Sequence, residues 1–164
     1  MSVAVQKKSA GRILQKIPGV KKMRVAIVVS EWNPEITEAL YNGAFKTLIR
    51  QGVKEKNIQK KYVPGSFELP LGAQFLAQKS GVDAVICLGC VIQGETKHFD
   101  FICNAVTNGI TNVGLKYNKP VIFGVLTTNN LQQAIDRTGG KYGNKGEEAA
   151  MAAVKMFALK QEIQ

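Results

Sequence analysis

The chain shows two alternating patterns of apolar and polar positions from residue 24 almost to its end. Four short runs rich in β-branched residues predict buried strands, at 24–29, 58–63, 82–92 and 120–127. Elsewhere apolar residues recur every three or four positions, which predicts helices at 34–50, 67–79, 98–117, 130–137 and 145–160. Strands that alternate with helices predict an α/β fold with one parallel sheet and helices on both faces.

The start of the first helix is marked by three residues. Asn33 can cap the free N–H groups of the first turn, Pro34 suits the first helical position, and Glu35 favours the positive end of the helix dipole. We therefore expect this helix to begin at Pro34.

The predicted sheet also predicts where a ligand binds. In open parallel sheets, ligands lie beyond the carboxyl ends of the strands, at the point where the strand order reverses. Functional residues are therefore expected directly after each strand, at 30–33, 64–68 and 89–98, and from 127 onward.

The composition is that of one soluble domain. A length of 164 residues, with 45% hydrophobic and 21% charged residues, excludes disorder. No apolar run reaches the roughly 20 residues that a membrane span needs. Three cysteines without a secretory signal indicate a reducing cytoplasm. Because Cys87 and Cys90 should face opposite sides of a strand, we expect buried thiols, and neither a zinc site nor a redox pair.

The net charge of +10 is concentrated at the amino terminus. Residues 1–24 hold seven of the 22 Lys and Arg and none of the 12 Asp and Glu, so 15 basic and 12 acidic residues remain. We interpret residues 1–23 as a basic, solvated arm and 24–164 as a single domain. The alternatives are an arm that packs on a neighbouring subunit, an organelle-targeting peptide, or a weak contact with a polyanion.

The strongest candidate site is the stretch between the third strand and the third helix. Backbone N–H groups at a helix start attract anions, so Gly94, Glu95 and Thr96 predict a phosphate-binding loop. The alternative is a turn with a threonine cap. His98, the only histidine, can transfer protons near neutral pH, although a lone histidine is more often structural. Asp100 is interpreted as a partner of the helix dipole.

Two further strand ends and one turn carry candidate groups. The stretch 137–146 spreads Arg137 and two lysines through a glycine-rich turn, which suggests a second anion site but lacks the residue order of a P-loop. Glu68 supplies a carboxylate after the second strand, or is simply a first-turn residue of a helix. Trp32 could stack on a planar ring, although core or lid packing is about as common.

Five motifs, in this order along the chain, resemble one enzyme family. They are WNPEIT after the first strand, VPGSFELP after the second, GCVIQGETKHFD after the third, FGVLTT on the fourth, and the closing RTGGKYGNKGEEAA. Each is weak alone, but the ordered set is specific and runs from about Arg24 to Leu159. In these motifs the chain resembles the 6,7-dimethyl-8-ribityllumazine synthases.

The resemblance implies both a fold and a reaction. The fold is flavodoxin-like and three-layered, with a four-stranded parallel sheet and an N-terminal arm that packs on a neighbouring subunit. The activity is that of a transferase in riboflavin biosynthesis. It condenses 5-amino-6-(D-ribitylamino)uracil with 3,4-dihydroxy-2-butanone 4-phosphate, releasing phosphate and water, and uses no metal or organic cofactor.

The resemblance also implies roles for individual residues. His98 would shuttle protons, while Arg137 and the loop Gly94, Glu95 and Thr96 would hold the phosphate. The other substrate-binding residues would be Trp32, Asn33, Ser66, Phe67, Glu68, Val91, Ile92, Phe123, Lys145 and Glu148. Among them, Phe123 would come from the adjacent subunit. Gln93 and Ser66 depart from the residues that many members carry there.

The implied partners are small-molecule substrates and further copies of the same chain. The family forms pentamers, some of which build 60-subunit shells, and riboflavin synthase is a possible associate; no membrane or specific nucleic acid is expected. Two other kinds of function stay open. One is an archaeal-type riboflavin synthase of the same architecture. The other is non-catalytic: a shell protein that binds flavin or phosphate, or a polyanion binder that uses the arm.

Overall fold

A four-stranded parallel sheet forms the centre of the computed structural model, which describes residues 17–164. The strands are β1 (Val25–Ser30), β2 (Ile58–Val63), β3 (Ala84–Ile92) and β4 (Val121–Thr128), in the order β2-β1-β3-β4. Every neighbouring pair is parallel. This sheet confirms the predicted fold class, and the predicted strand ends differ from the observed ones by at most two residues.

Within the described residues, five α-helices cover the sheet: α1 (Pro34–Arg50), α2 (Leu69–Ala77), α3 (His98–Tyr117), α4 (Leu131–Ile135) and α5 (Lys145–Ile163). The predicted helix at 67–79 is shorter than expected, because Ser66–Glu68 form a separate 3₁₀ turn and the α-helix begins at Leu69. Pro70, which has no N–H to donate, lies within the first turn, where a proline is tolerated. The helix predicted at 130–137 is also shorter, since Asn130 caps it by accepting a hydrogen bond from the N–H of Gln133.

Alternating side chains of the strands build two separate cores. Val25, Ile27 and Val29 pack under α1 and α5, whereas Ala26 and Val28 pack under α2 and α3. Strand β3 is buried on both sides over most of its length, as a central parallel strand should be.

The two cysteines of β3 lie in different cores, as predicted. Cys90 belongs to the core under α1 and α5, and Cys87 to the core under α2 and α3. Burial raises the pKa of the Cys87 thiol to about 12 and that of Cys90 to about 11, so both remain protonated at neutral pH. Within residues 17–164, no group of three or more His, Cys, Asp or Glu side chains is placed to hold a metal ion.

Close packing of α1 against the start of α5 fixes the last helix. A Cβ added at Gly146 would overlap the backbone oxygen of Leu40, so only glycine fits there. The side chain of Asn144 donates to the Ala39 carbonyl at 3.0 Å and accepts from the N–H of Gly146 at 2.8 Å. The asparagine therefore joins the two helices as well as capping α5.

The glycine-rich segment before α5 is a small hairpin and not only a turn. Strands β5 (Thr138–Gly140) and β6 (Gly143–Asn144) pair antiparallel. Gly139 and Gly143 have φ of 115° and 79°, a region that side chains strongly disfavour. These two glycines allow the chain to turn tightly enough to pair with itself.

The amino-terminal arm lies mostly outside the described residues. Its last part, however, belongs to the body of the fold: Val20 and Met23 are buried in the core under α1 and α5, with Ile17 partly buried against them. No helix within residues 17–164 is long and apolar enough to cross a membrane.

Candidate active site

The strand order reverses between β1 and β3. From β1 the chain crosses to β2 on one side, and it then returns to form β3 and β4 on the other. The carboxyl ends of β1 and β3 are therefore the switch point at which parallel sheets bind ligands. Residues from three predicted motifs, WNPEIT, VPGSFELP and GCVIQGETKHFD, follow β1, β2 and β3 at this edge.

Asn33 links the ends of β1 and β3, and it does not cap α1 with its side chain as expected. Its backbone is left-handed, with φ of 57°, and its side chain makes no hydrogen bond to the first turn. The side-chain amide instead donates to the carbonyl of Cys90 at 3.3 Å. The neighbouring Trp32 is 72% exposed, with its ring available to a ligand or another subunit.

The 3₁₀ turn after β2 packs against β3 at Gly89. A Cβ at Gly89 would lie 2.7 Å from the Ser66 hydroxyl and 2.9 Å from a methyl carbon of Leu69. The carboxylate of Glu68 accepts from the N–H of Gly65 at 2.9 Å, which closes the turn. Ser66 is buried, while Phe67 is exposed and Glu68 is half-buried, so the turn presents an aromatic ring and a carboxylate to the edge.

The loop between β3 and α3 is open to solvent. Gly94, Glu95, Thr96 and His98 are all exposed, whereas Val91 and Ile92 at the strand end are half-buried. The hydroxyl of Thr96 accepts from the backbone N–H of His98 at 3.3 Å, but the N-cap position of α3 is Lys97, so the threonine lies one residue before the cap that the alternative required. The N–H of Gln93 donates to the carbonyl of Thr128 at 2.8 Å, which ties the start of the loop to β4.

The hairpin holds Arg137 beside the start of α5. The N–H of Lys145 donates to the Arg137 carbonyl at 2.9 Å, and the Lys145 ammonium pairs with Glu148 at 2.9 Å. The Arg137 guanidinium lies 5.1 Å from the centroid of the Tyr142 ring. Tyr142 could not be predicted from the sequence, because only the folded hairpin brings its ring to the arginine.

Phe123 lies away from this edge. It pairs with Cys87 near the start of β4, five residues before β4 ends at Thr128. Five residues of strand span roughly 16 Å, so Phe123 does not join the other candidate residues of its own subunit.

The edge therefore combines an exposed indole, an exposed imidazole and an open loop at a helix start. The hairpin carries the Arg137 guanidinium, which forms no ion pair within residues 17–164. A family model described as 6,7-dimethyl-8-ribityllumazine synthase matches residues 22–161. The chain belongs to this family.

Relatives in the 6,7-dimethyl-8-ribityllumazine synthase family are similar over nearly the whole chain. The enzyme of that name from Cytophaga hutchinsonii is 66% identical over 143 residues, which cover 87% of this chain and 90% of that protein. Those from Flavobacterium johnsoniae and Parabacteroides distasonis are 58% and 56% identical, covering 89% and 85% of this chain and 77% and 88% of the relatives. The predicted family, flavodoxin-like fold and enzyme class are thereby confirmed, and neither alternative function gains support.

Proposed function

We propose that this chain condenses 5-amino-6-(D-ribitylamino)uracil with 3,4-dihydroxy-2-butanone 4-phosphate, forming 6,7-dimethyl-8-ribityllumazine and releasing phosphate and water. Membership of the lumazine synthase family supports this reaction. Three family motifs follow β1, β2 and β3 at the same edge of the sheet, and this observation supports the assignment of the site. We assign the reaction to this edge.

The chemistry requires positioning and proton transfer. The 5-amino group of the pyrimidine attacks the ketone and forms an imine with loss of water, and phosphate is then eliminated. The ribitylamino nitrogen attacks the remaining carbonyl carbon and closes the second ring with loss of a second water. We assign the proton transfers to His98, whose exposed imidazole lies at the first position of α3. No step changes the oxidation state of the protein, so side chains that bind and orient the two substrates are sufficient.

We assign the phosphate group to Gly94, Glu95, Thr96 and Arg137. The first three precede the start of α3, where unpaired N–H groups and the helix dipole favour an anion. A Cβ at Gly94 would meet no atom within 4 Å, so the loop has open space beside its backbone. The Arg137 guanidinium can hold phosphate through two parallel hydrogen bonds.

We assign the pyrimidine and ribityl chain to the ends of β1, β2 and β3. The exposed ring of Trp32 supports stacking on the pyrimidine, and the Glu68 carboxylate suits the ribityl hydroxyls. The rest of this pocket is assigned to Asn33, Ser66, Phe67, Val91, Ile92, Lys145 and Glu148.

Phe123 supports an active site that is shared between subunits. Its distance from the carboxyl edge of its own sheet, together with its place in a family motif, leads us to assign it to the site of a neighbouring copy. We propose a cytoplasmic homo-oligomer, either a pentamer or a 60-subunit shell, with the basic arm packing on a neighbour and riboflavin synthase as an associate. Light scattering separates the two assemblies by mass.

The reaction is tested by mixing the protein with both substrates and following lumazine absorbance. We expect product to form only when both substrates are present, with one phosphate released for each lumazine. A parallel sample receives lumazine alone. Riboflavin formation in that sample, without lumazine formation in the first, would identify a riboflavin synthase. Absence of product in both would leave a binding protein and refute the proposal.

A further inference from the structure

The hairpin places two cations against one aromatic ring. The Arg137 guanidinium carbon lies 5.1 Å from the centroid of the Tyr142 ring, and the Lys141 ammonium lies 5.2 Å from the same centroid. Both distances fall within the roughly 6 Å over which a cation is attracted to an aromatic face. One ring is therefore in contact with two positive charges.

Neither cation is neutralised. Within the part of the chain that the structure describes, Arg137 and Lys141 form no ion pair with any carboxylate. The adjacent acid, Asp136, accepts instead from the side chain of Gln132 at 3.0 Å. Lys145, the third cation of the segment, differs from the other two because Glu148 pairs with it at 2.9 Å. Two of the three cations thus remain available to an external anion.

The backbone of the hairpin keeps these groups in place. The N–H of Tyr142 donates to the carbonyl of Asp136 at 2.8 Å, and the N–H of Lys145 donates to that of Arg137 at 2.9 Å. Asn144 joins the same hairpin to α1 through the Ala39 carbonyl. The ring and the guanidinium are therefore carried by one anchored frame.

We propose that Tyr142 is a positioning residue, whose ring holds Arg137 and Lys141 together as the binding site for the phosphate of the butanone phosphate substrate. The inference rests on the proposed function and extends it by assigning Lys141 to the phosphate. A ring contact leaves the N–H groups of the guanidinium free for hydrogen bonds, whereas a carboxylate partner would occupy them.

Separate Michaelis constants for the two substrates test the proposal. We expect Tyr142→Ala to raise KM for the butanone phosphate by about 2- to 5-fold, the effect of one exposed cation–π contact. The inhibition constant of inorganic phosphate should rise in parallel. KM for the pyrimidine, kcat and the melting temperature should stay unchanged. Tyr142→Phe, which keeps the ring, should restore KM, and Lys141→Met should raise it by a similar factor.

Lys116→Met is the matched control. Its ammonium lies 5.5 Å from the ring of Tyr117 at the far end of α3, so the variant removes a contact of the same kind outside the site. An unchanged KM in Tyr142→Ala, equal impairment in Tyr142→Phe, or an equal rise in both Michaelis constants would overturn the inference.

Arg137→Ala distinguishes this inference from the proposed function. If Arg137→Ala raises KM for the phosphate substrate and Tyr142→Ala does not, the inference fails while the phosphate role of Arg137 stands. If neither does, the role of Arg137 fails as well. The double variant Arg137→Ala with Tyr142→Ala should raise KM by less than the product of the two single factors, because the ring acts partly through the guanidinium; a rise equal to that product would contradict this coupling.

Discussion

Gly89 of β3 sits against the 3₁₀ turn after β2 and the start of α2, and a side chain there would collide with both. We expect Gly89→Ala to lower the free energy of unfolding by about 1–3 kcal/mol, the usual cost of overpacking a filled core. Its Cβ would lie 2.7 Å from the Ser66 hydroxyl and 3.3 Å from that of Ser30. Urea denaturation measures the loss.

Gly81→Ala is the control for this substitution. The atom nearest to an added Cβ at Gly81 is a guanidinium nitrogen of Arg24 at 3.8 Å, an ordinary contact on an exposed turn. Its free energy of unfolding should therefore stay within about 0.5 kcal/mol of the parent. Equal stabilities for the two variants would contradict the packing argument.

His98 is expected to matter for turnover and little for binding. Removing a general acid–base group typically slows a reaction by about 10²- to 10⁴-fold, and we expect His98→Ala to fall in this range. The imidazole is exposed and only the backbone N–H of His98 is hydrogen-bonded to Thr96, so the fold should be retained. Steady-state kinetics and equilibrium binding of the pyrimidine separate the two effects. A loss below about 3-fold would show that the protons move by another route.

Single residues were the hardest features to predict from the sequence. Asn33 and Thr96 were both recognised as possible helix caps, yet only Thr96 makes a local hydrogen bond to the helix start. The side chain of Asn33 donates instead to the Cys90 carbonyl, 57 residues further along the chain. The residue type determines which hydrogen-bonding groups a side chain has. Its hydrogen-bond partner depends on which strand lies beside that side chain in the folded protein.

At the scale of elements, an ion pair joins the start of β1 to the turn before β3. Arg24 donates to Asp83 from its backbone N–H at 2.7 Å and from its guanidinium at 2.8 Å and 3.1 Å. Burial raises the pKa of the Asp83 carboxyl, but the hydrogen bonds from Arg24 outweigh it and hold the pKa below the usual 3.8. The carboxylate is therefore bound more favourably in the folded chain than in the unfolded one.

This pair predicts a pH dependence of stability. Because the folded pKa of Asp83 is lowered, its contribution is complete above about pH 4 and is lost as the pH falls through the folded pKa. We expect Asp83→Asn to melt a few degrees below the parent at pH 7, and the gap to close toward pH 2. Melting curves of both proteins from pH 7 to pH 2 measure it. A gap that is constant over this range would assign the effect to packing.

The helices and strands were predicted well where their apolar period was long. Helix α3 and strand β2 were predicted within their observed bounds, because each shows a clear period flanked by turn residues. The short pieces were not recovered: the 3₁₀ turn Ser66–Glu68 and strands β5 and β6 are too short to show a period. Hydrogen bonds between Gly65 and Glu68 close the 3₁₀ turn, and Asn144 joins the hairpin to α1.

At the scale of the whole molecule, the boundary between arm and domain has a measurable consequence. Deleting residues 1–22 removes Val20, which is 7% exposed and packs in the core under α1 and α5, whereas deleting residues 1–16 leaves every described contact. We expect the longer deletion to lower the free energy of unfolding by about 2 kcal/mol relative to the shorter one. Lumazine formation should persist after the shorter deletion.

Equal stabilities for the two truncated proteins would contradict the packing of Val20. Light scattering on the protein that lacks residues 1–16 also tests the proposed contact of the arm with a neighbouring subunit. Loss of that contact should reduce the assembled fraction. If the lysine-rich arm instead binds a polyanion, its deletion should leave the assembly unchanged and abolish salt-sensitive binding to the polyanion.

Hydrophobic periods and ordered motifs are local properties of the chain, and they were enough to predict the parallel α/β architecture, the family and the strand ends that carry the candidate chemistry. The tertiary structure decided which of those groups are free to act. It gave the Asn33 side chain a structural hydrogen bond, paired Lys145 with Glu148, left Arg137 and Lys141 on the ring of Tyr142, and set Phe123 apart from its own site. Each of these outcomes depends on contacts between side chains and backbone groups that meet only when the sheet and the hairpin have formed.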